Sequence, residues 1–186
     1  EIARLPFGLQ IDGRRIAFHS DRSGNWDIWV VNADGSGLVQ LTTSPENDRY
    51  PNWGPGGKIA FTSNRGGNED IWVLDVEAAL SQGDDSSAVN LTRAAKRDRY
   101  AIWSPDGRQI TFNTNRDGNF EVYVMNADGS KPRNLSNSPK STEGLADWAP
   151  DGRRLVFYSD RGGNKEVYIL DLASLKWTNI SNHEAS

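Results

Sequence analysis

Short runs in which apolar and polar residues alternate recur along the whole chain, and four of them align. Each run begins with an aliphatic residue and closes on a Ser/Thr–Asp/Asn–Arg triplet. The leading residues, spaced 43, 51 and 45 positions apart, are Ile16, Ile59, Ile110 and Leu155. Alternation with a period of two favours strands over helices. A repeat of about 40–50 residues is typical of propeller blades.

Each repeat divides into four predicted strands. An inner strand ends in Trp-x-Pro, where proline is tolerated because the strand stops. A glycine turn leads to the second strand, a Gly-Asn hairpin to the third, and an Asp-Gly turn in repeats one and three to the outer strand. The tryptophans are Trp53, Trp103 and Trp148, and repeat one has Leu9 at this place. In repeat two we expect a long mobile loop through residues 81–87.

The sequence therefore predicts an all-β fold, a β-propeller with four four-stranded antiparallel blades. We expect residues 1–186 to form a single domain, with blades near 1–43, 44–94, 95–138 and 139–183. Four blades can close as one ring, pair with a second copy into a two-chain ring, or belong to a longer propeller. An open arc would expose the apolar faces of its end blades, which favours a homodimer. The pattern does not choose between the closed ring and the two-chain ring.

A family resemblance is carried by residues 112–130 and by the Leu-Thr and Trp-Ser-Pro-Asp-Gly segments. Residues 112–130 read Phe-Asn-Thr-Asn-Arg-Asp-Gly-Asn-Phe-Glu-Val-Tyr-Val-Met-Asn-Ala-Asp-Gly-Ser. The pattern resembles the TolB-type β-propeller repeat. The resemblance implies a non-enzymatic interaction module that binds a protein or peptide in the periplasm or elsewhere outside the cytoplasm. Similar repeats occur in propellers attached to peptidases and polysaccharide lyases. The alternatives are therefore the propeller portion of such an enzyme and a self-assembling repeat scaffold.

Composition narrows the function further. The formal net charge is −4, which argues against nucleic-acid binding, and no apolar run is long enough to insert into a membrane. The chain has no cysteine, two histidines and no Gly-x-Ser-x-Gly motif. We therefore expect no catalytic residues, no metal and no cofactor. The sequence begins at Glu1 without a signal-peptide pattern, so the expected location follows from the resemblance alone.

Residues present in every repeat are expected to serve the blade itself. An arginine precedes the third-strand acid by five residues in each repeat, at Arg22–Asp27, Arg65–Asp70, Arg116–Glu121 and Arg161–Glu166. We expect an ion pair within the blade or a contact from arginine to backbone, and the alternative is a ring of four acids around a cation. Asn-x-Ser/Thr motifs end the outer strands at Asn90, Asn134 and Asn179, and we give glycosylation there little weight.

Function is expected where the repeats differ. The inner strands of repeats two and three begin Asp-Arg-Tyr, and these starts should lie around the mouth of the channel, where propellers bind partners. Arginine and tyrosine are enriched at binding hot spots. The predicted contact residues are Asp48, Arg49, Tyr50, Asp98, Arg99, Tyr100 and Glu143. The alternative is that Arg49 and Arg99 pair with neighbouring acids. Three aromatic residues are expected to be exposed: Trp26, Phe120 and Trp177. They could extend this binding surface or contact a second chain.

Overall fold

The computed structural model describes residues 10–11 and 13–182, and these form four four-stranded antiparallel sheets. In every sheet the strands follow one another in chain order, so that each sheet is a meander joined by hairpins. This confirms the all-β class and the four blades. Ring closure stays a prediction.

The first two sheets lie in one compact unit, residues 1–93, called unit 1 here. The strands of the first sheet are β1 (Gln10–Ile11), β2 (Arg15–Ser20), β3 (Asp27–Asn32) and β4 (Val39–Gln40). Those of the second are β5 (Asp48–Trp53), β6 (Lys58–Ser63), β7 (Asp70–Asp75) and β8 (Val89–Asn90), with a 3-10 turn at Pro55–Gly57 and a helix α1 at Val76–Gln82.

The other two sheets lie in unit 2, residues 94–186. The third sheet consists of β9 (Asp98–Trp103), β10 (Gln109–Thr114), β11 (Glu121–Asn126) and β12 (Arg133–Asn134). The fourth consists of β13 (Glu143–Trp148), β14 (Arg154–Ser159), β15 (Glu166–Asp171) and β16 (Trp177–Asn179). The boundary between the units, after Arg93, lies one residue from the predicted boundary between blades two and three. The assignment of residues 1–186 to a single domain stays a prediction.

Each unit has its own apolar core between its two sheets. In unit 1 the fully buried side chains include Ile28, Phe61 and Leu74. In unit 2 Val122 and Leu170 are equally buried. Alternating strand residues supply these cores, which is the period of two seen in the sequence. Burial of these faces stabilises the pairing of neighbouring blades.

The inner strands share a bulge that the sequence did not reveal. The pairing of β5, β9 and β13 with the second strand shifts in mid-strand, after Arg49, Arg99 and Gly144. The next residue has positive φ in each case: 56° at Tyr50, 58° at Tyr100 and 52° at Leu145. For a residue other than glycine, a positive φ costs about 1 kcal/mol or more of conformational free energy. The bulge bends the inner strand, so that the first residues of the strand turn away from the regular ladder of hydrogen bonds.

One local assignment is wrong. Ile11, and not Leu9, takes the position that the tryptophans hold in the other blades. Ile11 pairs with Ile16 on the second strand, and Trp103 pairs in the same way with Ile110, although the turn between Trp103 and Ile110 is longer. Leu9 itself lies outside the described residues.

The longer connection expected in repeat two is present, and helix α1 precedes its loop, which runs from Gly83 to β8. Asp75 caps the first turn of the helix by accepting a hydrogen bond from the Ala78 amide, and Gly83 ends it in a left-handed conformation. Beyond the helix, Asp85 is buried and paired with Arg65. This segment is therefore anchored to the blade.

Candidate partner-binding site

The acids that begin the inner strands are structural. Asp48, Asp98 and Glu143 are all 0% exposed, which argues against direct contact with a partner, and their assignment as contact residues stays a prediction. Asp48 accepts a hydrogen bond from Arg65 at 2.5 Å, and Asp98 accepts one from Arg116 at 3.0 Å. Buried carboxylates require such a partner because they have lost their water.

Arg65 and Arg116 therefore pair with the inner strand and not with the third-strand acid five residues away. The cause is a hydroxyl on the second strand: Ser63 accepts from Nε of Arg65, and Thr114 accepts from Nε of Arg116, both at 3.1 Å. This bond turns the guanidinium toward the inner strand. Arg65 also lies over the ring of Trp72, 5.0 Å from its centroid.

The third-strand acids serve the outer strand instead. In blade two, Thr92 donates its hydroxyl to Asp70 at 3.2 Å and accepts from the Ile71 amide at 3.0 Å, while Asn90 donates to Asp70 at 2.8 Å. Ser136 and Glu121 repeat this arrangement in blade three. The Asn-x-Ser/Thr motifs thus have a structural role in fastening the outer strand to the third-strand acid.

Blade four departs from the arginine–acid pairing. Glu143 accepts from the hydroxyls of Ser141 and Ser159, both at 2.7 Å, and its other carboxyl oxygen, Oε2, is buried with no donor among the described residues. Burial raises the pKa of Glu143, and the neighbouring carboxyl group of Glu121, close enough to share a hydrogen bond, raises it further.

In unit 1 the predicted binding residues and the predicted aromatic residues form one cluster. The guanidinium of Arg49 lies 5.2 Å from the ring centroid of Trp26. His19 contacts Trp26 and Tyr50 edge-on, with centroid distances of 5.1 and 5.3 Å, and its Nδ1 accepts from the Tyr50 amide at 3.4 Å. Burial, and then the charge of Arg49, lower the pKa of His19, so it is neutral at pH 7. We call these four residues the Arg49 cluster.

Unit 2 contains a corresponding Arg99 cluster of Arg99, Tyr100 and Phe120. The guanidinium lies 4.1 Å from the centroid of Phe120 and 5.1 Å from that of Tyr100. Within the described part of the chain, neither Arg49 nor Arg99 has an ion pair, and Nε of each is buried without a hydrogen-bond acceptor. The contacts thus give no support to pairing with neighbouring acids, the alternative that the sequence left open.

Blade four has no equivalent arginine because another side chain fills its place. Gly144 occupies the position of Arg49 and Arg99, and a Cβ there would lie 2.6 Å from the hydroxyl oxygen of Tyr158. Lys165, at the position of Trp26 and Phe120, lies over the ring of Tyr158 at 5.0 Å. This inner-strand start therefore presents no guanidinium.

The aromatic residues expected to be exposed are only partly so. Trp26 and Phe120 are half-buried beneath the two arginines, and their backbone carbonyls accept from the amides of Asp48 and Glu143 at the start of the next blade. Trp177 lies under Arg161, with its ring centroid 3.1 Å from the guanidinium carbon, and it packs edge-on against Phe157. Trp177 thus belongs to the packing of blade four.

Sequence reasoning missed His19 and Asn113, which hold the next inner strand. Asn113 accepts from the Leu145 amide at 3.0 Å and donates to the Glu143 carbonyl, as His19 accepts from the Tyr50 amide. The one available signal was that this second-strand position stays polar or aromatic in all repeats, as His19, Thr62, Asn113 and Tyr158.

Comparison with known proteins agrees with this architecture. The family model described as TolB beta propeller domain matches residues 91–186. A 42-residue stretch is 48% identical to the Tol-Pal system protein TolB of Anaeromyxobacter dehalogenans (strain 2CP-C), covering 23% of this chain and 10% of that protein. The chain thus matches only a small part of this curated relative.

Solved structures share the fold over nearly the whole chain. The putative TolB from Agrobacterium tumefaciens superimposes with a TM-score of 0.77 at 22% identity, over 90% of this chain and 61% of that one. A prolyl endopeptidase structure gives 0.67 at 15% identity, over 97% and 29% respectively. At these identities the likeness concerns the fold alone, and the described residues include no helix long and apolar enough to cross a membrane. Because the family model matches more than half of its residues, the chain belongs to the TolB β-propeller domain family.

Proposed function

We propose that this chain is a non-enzymatic module that binds a protein or peptide partner through the Arg49 and Arg99 clusters. The observation that carries the proposal is that both guanidiniums lie on aromatic rings and lack an ion pair within the described residues. An arginine held this way retains several unused N–H donors in a fixed plane.

The chemistry of the clusters indicates what a partner should offer. Stacking fixes the long side chain of arginine before binding, which lowers the entropy lost on association. A carboxylate can accept two parallel hydrogen bonds from one guanidinium, and charge-assisted bonds of this kind are about twice as strong as neutral ones. We therefore propose a partner segment that presents carboxylates beside apolar side chains.

The comparisons suggest where to seek the partner. Since matched relatives are named as TolB proteins of the Tol-Pal system, we propose the Pal component of such a system as partner. The corresponding location would be outside the cytoplasm. The chain covers 10% of the curated TolB protein and 61% of the solved one, so this assignment concerns the propeller blades and not a whole TolB protein.

Binding of purified Pal to matched variants tests the proposal. Replacing both arginines, Arg49→Ala with Arg99→Ala, should weaken binding about 100-fold, as expected for two hot-spot residues. The melting temperature should stay nearly unchanged, because neither arginine has a buried acid partner. Arg133→Ala, on the exposed outer strand β12, is the control and should bind normally. Undiminished affinity of the double variant would contradict the proposed surface.

The assembly remains a separate proposal: four blades close as one ring or as half of a two-chain ring. Light scattering at several concentrations distinguishes them. A particle near the chain mass of 20.6 kDa supports a single closed ring, and twice that mass supports the homodimer.

A further inference from the structure

Unit 2 contains a groove of about 350 Å³ at the opposite end of the inner strands from the Arg99 cluster. It lies where the Trp-x-Pro-Asp-Gly turns of blades three and four meet. Its lining includes an indole, two proline rings, two carboxylates and an amide, from Trp148, Pro105, Pro150, Asp106, Asp151 and Gln109. The hydrogen bond from the indole Nε1 of Trp148 to the Ile102 carbonyl, at 3.3 Å, fixes the ring in the wall.

The equivalent place in unit 1 is filled by the protein itself. Trp53 pairs with Ile59 as Trp148 pairs with Leu155, so the two tryptophans occupy the same position in their blades. The guanidinium of Arg15, in the preceding blade, lies 5.6 Å from the ring centroid of Trp53. Arg15 also donates to Glu77 at 2.8 Å. Unit 1 thus places a guanidinium between an indole and a carboxylate.

In unit 2 the residue at the position of Arg15 is neutral. Arg15 and Gln109 both begin the second strand of the preceding blade, paired with Asn32 and Asn126 respectively. Gln109 lines the groove and brings no charge to Trp148. The indole and the carboxylates are therefore present in unit 2, and among the described residues no cation lies over the indole as Arg15 does over Trp53.

The two carboxylates of the groove are charged at neutral pH. The Ser104 hydroxyl, which donates to Asp106 at 2.6 Å, lowers the pKa of that carboxyl, and the Arg153 amide does the same for Asp151. Their nearest cations are Arg108, at 4.0 Å from Asp106, and Arg154, at 3.3 Å from Asp151. All four of these side chains are largely exposed, and such pairs contribute little, so a ligand can compete for the carboxylates.

We infer that this groove binds the guanidinium of an arginine side chain presented by a partner protein. The guanidinium would lie against the indole of Trp148 and donate to Asp106 and Asp151, as Arg15 lies against Trp53 and donates to Glu77 in unit 1. This site goes beyond the proposed function, because it lies at the other end of the blades and recognises a cation where the Arg99 cluster would recognise an anion.

The test uses the full chain and a blocked arginine, N-acetyl-arginine methylamide, with blocked citrulline as the neutral probe of nearly the same shape. Binding is followed by the NMR signal of the Trp148 indole N–H. We expect saturable binding of the arginine compound with a Kd in the millimolar range, and at least tenfold weaker binding of citrulline. Equal affinity for the two probes, or no response of the Trp148 signal to either, would overturn the inference.

Two reciprocal substitutions control for indirect effects. Gln109→Arg places a guanidinium where Arg15 lies in unit 1, and it should reduce binding at Trp148 at least tenfold with no loss of stability. Arg15→Gln should create a second response, at the Trp53 indole, while leaving Trp148 unaffected. Full affinity at Trp148 in the Gln109→Arg variant would overturn the inference. Both variants keep the Arg49 and Arg99 clusters, so the outcome is independent of the proposed function.

Discussion

In unit 1 the inner-strand acid of the second blade, Asp48, accepts a hydrogen bond from Arg65, and Asp85 lies 2.6 Å from the same guanidinium. In unit 2 the corresponding acid is Glu143, and no ion pair reaches it within the described residues. Arg161, the counterpart of Arg65, lies over Trp177 and donates to Ser138 at 3.0 Å. One unit pairs the buried acid with an arginine, and the other surrounds it with two serine hydroxyls and a second carboxyl group.

The difference shows that the repeat conserves a position and not an interaction. Glu143 and Glu121 each have one methylene more than Asp48 and Asp27, so their carboxyl groups can meet directly. In unit 1 Thr42 lies beside Asp27, at 3.4 Å, and hydrogen-bonds the shorter Asp48 as well. Buried carboxylates at 0% exposure can be stabilised by either solution, with different consequences for stability and for its dependence on pH.

The largest expected effect comes from removing the two equivalent arginines. Arg65→Met leaves Asp48 and Asp85 buried without their cation, and breaking such a pair costs about 3–5 kcal/mol. Arg161→Met removes ring contacts and one hydrogen bond, and should cost about 1–2 kcal/mol. Urea denaturation of both variants measures the difference in the free energy of unfolding. Equal losses would mean that the two arginines have the same role after all.

An intermediate effect is expected from Glu143→Gln, and its sign depends on pH. The pKa of Glu143 is raised in the folded chain, so its stabilising contribution is complete below its unfolded value of 4.5 and is lost as the pH rises through the folded pKa. Glutamine supplies a permanent donor to Glu121 at every pH. The variant should match the wild type near pH 4 and exceed its stability by about 1–2 kcal/mol at pH 8.

The control for this experiment is Glu46→Gln, which changes an exposed glutamate of unit 1. It should leave the pH dependence of the melting temperature as it is in the wild type. A Glu143→Gln variant whose stability follows the wild-type pH profile would show that the raised pKa of Glu143 does not contribute to the pH dependence.

The smallest expected effect is that of His19→Asn, which installs in unit 1 the residue that unit 2 has as Asn113. The pKa of His19 is lowered, so its neutral form stabilises the fold above pH 6.5, and this contribution is lost as the pH falls below that value. Asparagine keeps an acceptor for the Tyr50 amide. We expect stability within about 1 kcal/mol of the wild type at pH 7.5, and a smaller loss on acidification to pH 5.5, measured by thermal melts. A variant as acid-sensitive as the wild type would exclude His19 as the cause.

Features set by alternation and turn chemistry were predictable from the sequence. The four blades, the hairpin turns and the Trp-x-Pro ends of the inner strands follow from the repeat, because each blade must bury one face of every strand. Helix α1 could also have been predicted from the sequence. Val76–Gln82 contains good helix formers, Asp75 favours the start of a helix and Gly83 favours its end.

The choice of side-chain partners could not be predicted. Spacing places Arg65 five residues before Asp70, but the Ser63 hydroxyl and the ring of Trp72 orient the guanidinium toward Asp48, which is 17 residues away. The bulge at Tyr50 likewise leaves no pattern in the sequence. In contrast, the two repeats that begin Asp-Arg-Tyr single out Arg49 and Arg99, because no requirement shared by all blades explains them, and their role in binding stays a prediction.

Hydrogen–deuterium exchange of the chain with and without Pal tests the central claim most directly, namely that shared residues build the blades while unshared ones bind. We predict protection on binding at residues 47–50 and 97–100 and at the hairpins around Trp26 and Phe120. Exchange at the Asp-Gly turns of residues 33–36 and 127–130 should not change. Protection confined to those turns and to the outer strands, with none at the two arginine clusters, would contradict the account.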